Sequence, residues 1–472
     1  MPKKSIFQIT SINLIILATV CLPNLAKHTK VLAQTPNYQA QILTYDQLQK
    51  TFISQKKYQA ALEISERRRN RRLVNLLAQQ LSISEVNAPS TEQIKQLAKQ
   101  QNATLVQYSI INDKVIIDGK KQPKESQIYI WLIKPTGDIA FRSVDLKPLW
   151  QKNKTSLADL IRNSRQFNDF RERSLKGGIQ TFTNKKDNSN KQLQKLHKLL
   201  IQPIADLLPI QADAHIIFIP QGELFLVPFA ALKDAKGKYL IEQHTIATAP
   251  SIQALDLLYQ RQQKIQGVAK DVLIVGNPTM PSISLKPGES PQKLSQLPGA
   301  EQEAKQIAEI FHTQALTGDA ATETAVVQKM PQARIIHLAT QGGCNDSSEI
   351  SCGLAFAPSP QDDGWLTSEE ILNLNLKADL VVLSSNETAL GKITGDGVIG
   401  LSRSFFAVGV PSVIGSLWSV PDKETAFLMT EFYHKLSENP DKTAALRYAM
   451  LATMKKYPNP QYWAAFTLIG VL

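Results

Sequence analysis

The spacing of apolar positions changes twice along the chain, and each change predicts a different kind of structure. Between residues 41 and 85, Leu48, Phe52, Ala61, Leu62, Leu73, Leu76 and Leu77 recur at intervals that gather one face of a helix. From 104 to 146 the interval falls to two. Leu105–Ile111, Val115–Ile117, Ile128–Ile133 and Ile139–Phe141 read as strands, split by Asp118-Gly119 and Pro135-Thr136-Gly137, which predicts an antiparallel meander with tight turns. A helical stretch follows, then a polar, lysine-containing run from Asn184 to Lys195 that is expected to lie exposed. From 214 onward short apolar runs alternate with amphipathic stretches. Strands are expected at 215–219, 272–275, 333–339, 380–383 and 413–417, and helices at 300–311, 322–330, 395–408, 421–437 and 441–455. Uninterrupted Ile, Val and Leu need cover on both faces, so the predicted fold class is α/β, a mainly parallel sheet with helices on both sides. Sites in such sheets form where strands end and loops begin.

The first 33 residues follow another rule. Lys3 and Lys4 precede the apolar run Ile12–Leu22, and Val31-Leu32-Ala33 supplies small-residue cleavage chemistry. Asn13 and Pro23 make the run short and broken for a membrane span. The reading is an export signal, hence a secreted or periplasmic chain. The alternative is an uncleaved anchor over residues 12–26. Cys21 follows Val20 rather than the small residue that lipidation requires. Over all 472 residues, 43% hydrophobic and 20% charged describe folded domains, which excludes a disordered chain, a coiled-coil rod and a collagen-like fibre. Three cysteines (Cys21, Cys344, Cys352) are too few for a disulfide scaffold. A net charge of +12 favours acidic partners without naming one. Its densest part, Arg67, Arg68, Arg69, Arg71 and Arg72, is expected on a solvated helix face, and no nucleic-acid partner is predicted.

Tyr58–Arg67 resembles the second half of a tetratricopeptide repeat (TPR). One such unit cannot bury its own apolar face, so it must pack on the rest of the chain or on a partner. Further on, Leu297-Pro298-Gly299-Ala300-Glu301 leads to Ile335-Ile336-His337-Leu338-Ala339-Thr340-Gln341-Gly342. Then come Leu383-Ser384-Ser385-Asn386-Glu387-Thr388 and Gly395-Asp396-Gly397, followed by Gly409–Val420 and Tyr462-Trp463-Ala464-Ala465-Phe466. In this order the motifs resemble the CHAT domain, the caspase-related peptidase domain found attached to tetratricopeptide repeats in bacteria. The expected organisation is a signal or anchor over 1–33, a helical TPR-like segment over 41–85, a β meander plus helices over 100–200, and a caspase-like CHAT domain over 201–472.

The resemblance implies a catalytic histidine after Ala-Thr and a catalytic cysteine before Glu-Thr-Gly, the imidazole serving as base for the thiolate. Gln341 and Asn386 hold those two positions here, and Ala389 stands where the family has glycine. A carboxamide neither takes a proton near neutral pH nor attacks a carbonyl. The expectation is therefore an inactive pseudopeptidase. Its cleft, formed by Gln341, Gly342, Ser385, Asn386 and Glu387, would bind a protein or peptide partner without cleaving it and without a cofactor or metal. Two other readings stand beside it: an active cysteine endopeptidase using an unusual nucleophile such as Cys344 or Cys352, and a TPR-type adaptor with the CHAT part as scaffold. His337 lies four residues, about 13 Å, behind Gln341 on an extended strand and is expected to be structural. Asp362-Asp363 and Glu369-Glu370 are expected to flank a turn and open a helix after Thr367-Ser368 rather than bind calcium.

Overall fold

A computed structural model describes residues 38–67, 69, 71–117, 119–167, 185–284, 290–344, 352–384 and 401–472. The expected signal or anchor lies outside them. Four helices come first: α1 (Tyr38–Ser54), α2 (Tyr58–Arg67), α3 (Arg71–Gln80) and α4 (Thr91–Gln100). Ser90 and Gln93 start α4 with a reciprocal capping box. The meander follows as β1 (Ala103–Ile117), β2 (Lys120–Ile133) and β3 (Ile139–Asp145), antiparallel throughout. Gly119 makes the first turn at a positive φ of 73°, which glycine adopts at no steric cost. Helices α5 (Leu157–Ser164) and α6 (Lys185–Leu200) lead to β4 (His215–Ile219), β5 (Thr245–Thr248), α7 (Ile252–Ile265) and β6 (Asp271–Pro278).

A two-residue hairpin, β7 (Ser282–Ile283) and β8 (Gln292–Lys293), precedes α8 (Pro298–Ile310), β9 (Leu316–Gly318), α9 (Glu323–Lys329) and β10 (Ala333–Ala339). A small antiparallel sheet of β11 (Gly342–Cys344), β12 (Cys352–Ala355) and β13 (Trp365–Thr367) comes next. The chain ends with α10 (Ser368–Leu372), β14 (Leu380–Leu383), α11 (Leu401–Ala407), β15 (Ser412–Ser416), α12 (Asp422–Glu438), α13 (Lys442–Lys456) and β16 (Phe466–Gly470).

Eleven strands form one sheet in the order β3-β2-β1-β4-β5-β16-β15-β14-β10-β6-β9. It is mainly parallel, as the unbroken apolar runs predicted; antiparallel pairing is confined to the meander and to β15–β16. Two parallel blocks running in opposite directions therefore meet at β15 and β16. Because β1 pairs in parallel with β4, the sheet crosses residue 200 without interruption, and both sides share one apolar core. Strands β5 and β16 carry too few apolar residues in a row for periodicity to reveal them.

Two expectations fail, because a stretch rich in charge, on a helix or in the bend between two helices, can still bury single side chains. The polar run before Lys195 forms much of α6, where Gln192, Leu193 and Leu196 are buried. Arg69, expected in solvent, is 5% exposed. Its guanidinium donates to the carbonyl oxygens of Ile219 (3.2 Å) and Pro220 (2.9 Å) and to that of Tyr108. Its Nε lies 3.7 Å from the carboxylate of the buried Glu66, which accepts the N–H of Gln253 at 3.1 Å. Burial pushes the Glu66 carboxyl up, and Arg69 with the helix amides at 252 and 253 pulls it partly back. The TPR-like unit thus packs on its own chain, helped by Trp131, whose ring N–H donates to Tyr58 O at 2.8 Å.

Candidate functional site

Strands β10 and β14 are parallel neighbours, with Ile335 opposite Leu380 and Leu338 opposite Leu383. The N–H of Ser384 extends the ladder to Leu338 O at 3.0 Å. Thr340 and Gln341 follow the C-terminal end of β10, Ser384 follows that of β14, and Ser416 ends β15. Thr340, Ser384, Ser416, Asp422, Glu303 and Phe466 share one cavity. Of the sequence-predicted cleft residues, Gln341 and Gly342 lie at this end of the sheet. Ser385, Asn386 and Glu387 lie outside the described residues, as does Gly395-Asp396-Gly397.

The Gln341 side chain is partly exposed, and its Nε2 donates to Ser295 O at 2.6 Å. Its backbone carbonyl accepts the N–H of Ala355 at 2.8 Å, and Thr340 Oγ1 donates to Ala355 O at 2.6 Å. The hairpin beginning at Gly342 is thereby pinned behind the candidate cleft. Cys352 on that hairpin is buried and disulfide-bonded, and it stands opposite Cys344 in the register. A sulfur held in a disulfide is no thiolate, so Cys352 is not the unusual nucleophile that sequence alone left open.

The Leu297-Pro298-Gly299 motif places α8 beside the cavity. Asn277 Oδ1 accepts the N–H of Leu297 at 2.6 Å, and Asp422 Oδ2 accepts that of Gly299 at 3.2 Å. A side chain at Gly299 would stand 2.0 Å from Asp422 Cβ, and one at Gly276 would stand 2.4 Å from Ala300 O. Glycine is required at both contacts, by the Asp422 side chain at Gly299 and by the α8 backbone at Gly276.

His337 lies inside the sheet rather than at its end. It is fully buried, with Nδ1 3.1 Å from Tyr433 Oη and Nε2 2.9 Å from Glu303 Oε1. Burial pushes the Tyr433 hydroxyl well above its ordinary range, so Tyr433 stays protonated and the triad joins β10 to α8 and α12. Its distance from the strand end fits the structural role expected of it. Thr367 and Glu370 form the expected capping box at α10. Among the described residues no group of three His, Cys, Asp or Glu side chains is arranged to hold a metal.

Sequence reasoning missed Glu303, Ser384 as a lining group, and Asp422. They sit on α8, after β14 and on α12, and no spacing in the chain joins them. Chemically, the site presents hydroxyls, carboxylates and a carboxamide, all hydrogen-bonding groups. Gln341 supplies no base.

The chain is similar to known proteins. A CHAT domain family model matches residues 190–471. Tetratricopeptide repeat protein 28 of Homo sapiens is 31% identical over 324 residues, covering 59% of this chain and 13% of that protein. Its Mus musculus counterpart is 30% identical over the same shares. The chain thus spans a small part of the length of these curated relatives. Among solved structures, the Saccharomyces cerevisiae separase–securin complex contains a chain that superposes with a TM-score of 0.56 at 11% identity, covering 94% of this chain and 37% of that one. That likeness is one of fold, and it bears out the caspase-like class with its helical lead-in. Together these likenesses describe a protein-interaction or peptidase-like module. With the family match covering more than half of the sequence, from α6 to β16, the chain belongs to the CHAT domain family.

Proposed function

We propose that this chain is an exported pseudopeptidase, whose CHAT domain holds a protein or peptide in the cleft at the C-terminal ends of β10 and β14 without cleaving it. The observation that carries the reading is Gln341: it occupies the position after Ala339-Thr340 at the strand end, and its carboxamide is bonded to Ser295 O where an active member needs an imidazole. Asn386 in the sequence removes the thiol as well. Export is supported by the bridged Cys352, since disulfides persist in oxidising compartments. A protein partner is supported by the separase relative, which was solved in complex with securin.

Restoring both reactive groups, as Gln341→His with Asn386→Cys, tests the reading. Wild type should show no thiol-dependent cleavage of a peptide library. The double variant should gain alkylation at residue 386, because a thiol beside an imidazole ionises near neutral pH. Robust thiol-dependent proteolysis by wild type would refute the proposal. Filling the cavity with Ser384→Trp should abolish capture of peptides that wild type retains, and unchanged capture would place binding elsewhere.

A further inference from the structure

Away from the cleft, one buried carboxyl has no counterpart. Glu323 opens α9 and is 7% exposed, and its Oε2 has no hydrogen-bond partner among the described residues. The charged groups that bear on it are all acidic: Glu370 on α10, and Asp362 and Asp363 in the turn between β12 and β13. Burial first, and then these three carboxylates, push Glu323 up to about 7, while the Gly364 N–H offsets part of the effect. Asp362 is held elsewhere, accepting from Thr324 N–H at 3.0 Å and Ser359 Oγ at 2.8 Å.

The position of Glu323 ties it to the cleft. Its N–H donates to Ala357 O at 3.2 Å, Ala357 N–H donates to Ala321 O at 2.9 Å, and Phe356 N–H donates to Gly364 O at 2.7 Å. Two residues before Ala357, Ala355 donates its N–H to the Gln341 carbonyl and accepts the Thr340 hydroxyl. Just past that turn, Trp365 opens β13, and its ring covers Gly353 so closely that a Cβ there would come within 2.5 Å of it. Three residues of backbone, 355–357, therefore link the buried acid to the rim of the candidate cleft.

We propose that Glu323 is a proton-operated latch. Protonated, it closes the segment over residues 356–370 onto α9 and steadies the β11–β13 sheet behind Gln341; ionised, it is repelled from its burial site and that sheet loosens. The rim of the cleft is then firm in mildly acidic solution and looser in mildly alkaline solution. The sign follows from linkage. A carboxyl whose folded pKa is raised contributes its full stability below the unfolded value of about 4.5 and loses it as pH rises through about 7.

Hydrogen exchange of the full chain at pH 5.5 and 8.0, corrected for intrinsic rates, tests the latch. Peptides over 353–370 should lose roughly tenfold in protection at the higher pH, while those over β14 and β15 hold theirs. Glu323→Gln should keep the acid-side protection at pH 8.0. Equal protection of wild type at both pH values, or the same loss in the Gln variant, would overturn the proposal. Asp363→Asn with Glu370→Gln, both at exposed positions, removes two of the repelling charges and should shrink the loss. A loss of undiminished size in that variant would also overturn it.

Discussion

Strands β10, β14 and β15 run side by side in one direction, and their two ends are built on opposite principles. At the N-terminal ends the polar groups are closed on one another. The ammonium of Lys442, 3% exposed, reaches Asp379 Oδ1 at 3.2 Å and Ser412 Oγ at 2.8 Å. Asp379 also accepts from Gln262 Nε2 at 3.0 Å, and Ser412 Oγ donates to Val471 O at 2.7 Å. Burial pulls the Lys442 ammonium down and Asp379 restores part of it; burial pushes Asp379 up, but Lys442 and Gln262 hold it below the usual carboxylate range. At the C-terminal ends, Ser384 Oγ is buried with no partner among the described residues, and Gln341 has its carboxamide on a single loop carbonyl. Unpaired buried polar groups cost stability. A fold tolerates them where a ligand can complete them, which in a parallel block is the C-terminal end.

The contrast can be broken most sharply at its closed end. Lys442→Ala removes the ammonium bonded to Asp379, leaving only the more distant Arg334, and should cost about 3 kcal/mol in urea unfolding. Lys442→Met with Asp379→Leu should recover most of that, because the pair is removed together rather than orphaned. If the single change costs under about 1 kcal/mol, the closed network is not what holds this end. Gly276→Ala comes next. Its methyl would press on Ala300 O and Ala304 Cβ, each at 2.4 Å, and overpacking β6 against α8 should cost about 2–3 kcal/mol.

The pH dependence gives a smaller effect. His244, after the short helix Leu240–Gln243, is 8% exposed, and its Nδ1 has no hydrogen-bond partner among the described residues. Burial, then Arg447 and Lys238, hold its pKa down at about 4. A histidine depressed in the fold contributes stability above its unfolded value of about 6.5 and loses it as pH falls through about 4. Thermal melts from pH 7 to 4 should reveal a loss on the order of 2 kcal/mol that His244→Gln lacks. The smallest effect is expected at the open end: Gln341→Ala gives up one hydrogen bond of a partly exposed side chain and should cost under about 1 kcal/mol. A cost equal to that of Lys442→Ala would erase the difference between the two ends.

Much of the frame was legible because local sequence carries it. The runs Ala333–Ala339 and Leu380–Leu383 are apolar at nearly every buried position, His337 excepted, and they became the neighbouring strands β10 and β14. Asp118-Gly119 announced the meander turn, and Thr367 with Glu370 announced a capped helix. The candidate site was legible only through its strand-end motifs, which put Gln341 in place. Cys352 stayed open as an alternative nucleophile, because whether a cysteine is bridged is not visible in one residue. Arg69 misled because five arginines within six positions look alike until one is buried against the sheet.

By itself the sequence determined most of the long apolar strands and amphipathic helices, that the sheet is mainly parallel, and that glutamine and asparagine stand where a histidine and a cysteine would be needed. Those properties depend on residues a few positions apart, and hydrophobic period and side-chain chemistry are written at that range. Only the tertiary structure decided that the meander joins the main sheet through β1 and β4, and that Arg69 caps carbonyls 39 to 151 residues away. It alone set Glu323 beside three carboxylates from a later turn and helix. Burial and charge act through space, and the partners of a buried group are chosen by which surfaces meet, not by their order along the chain.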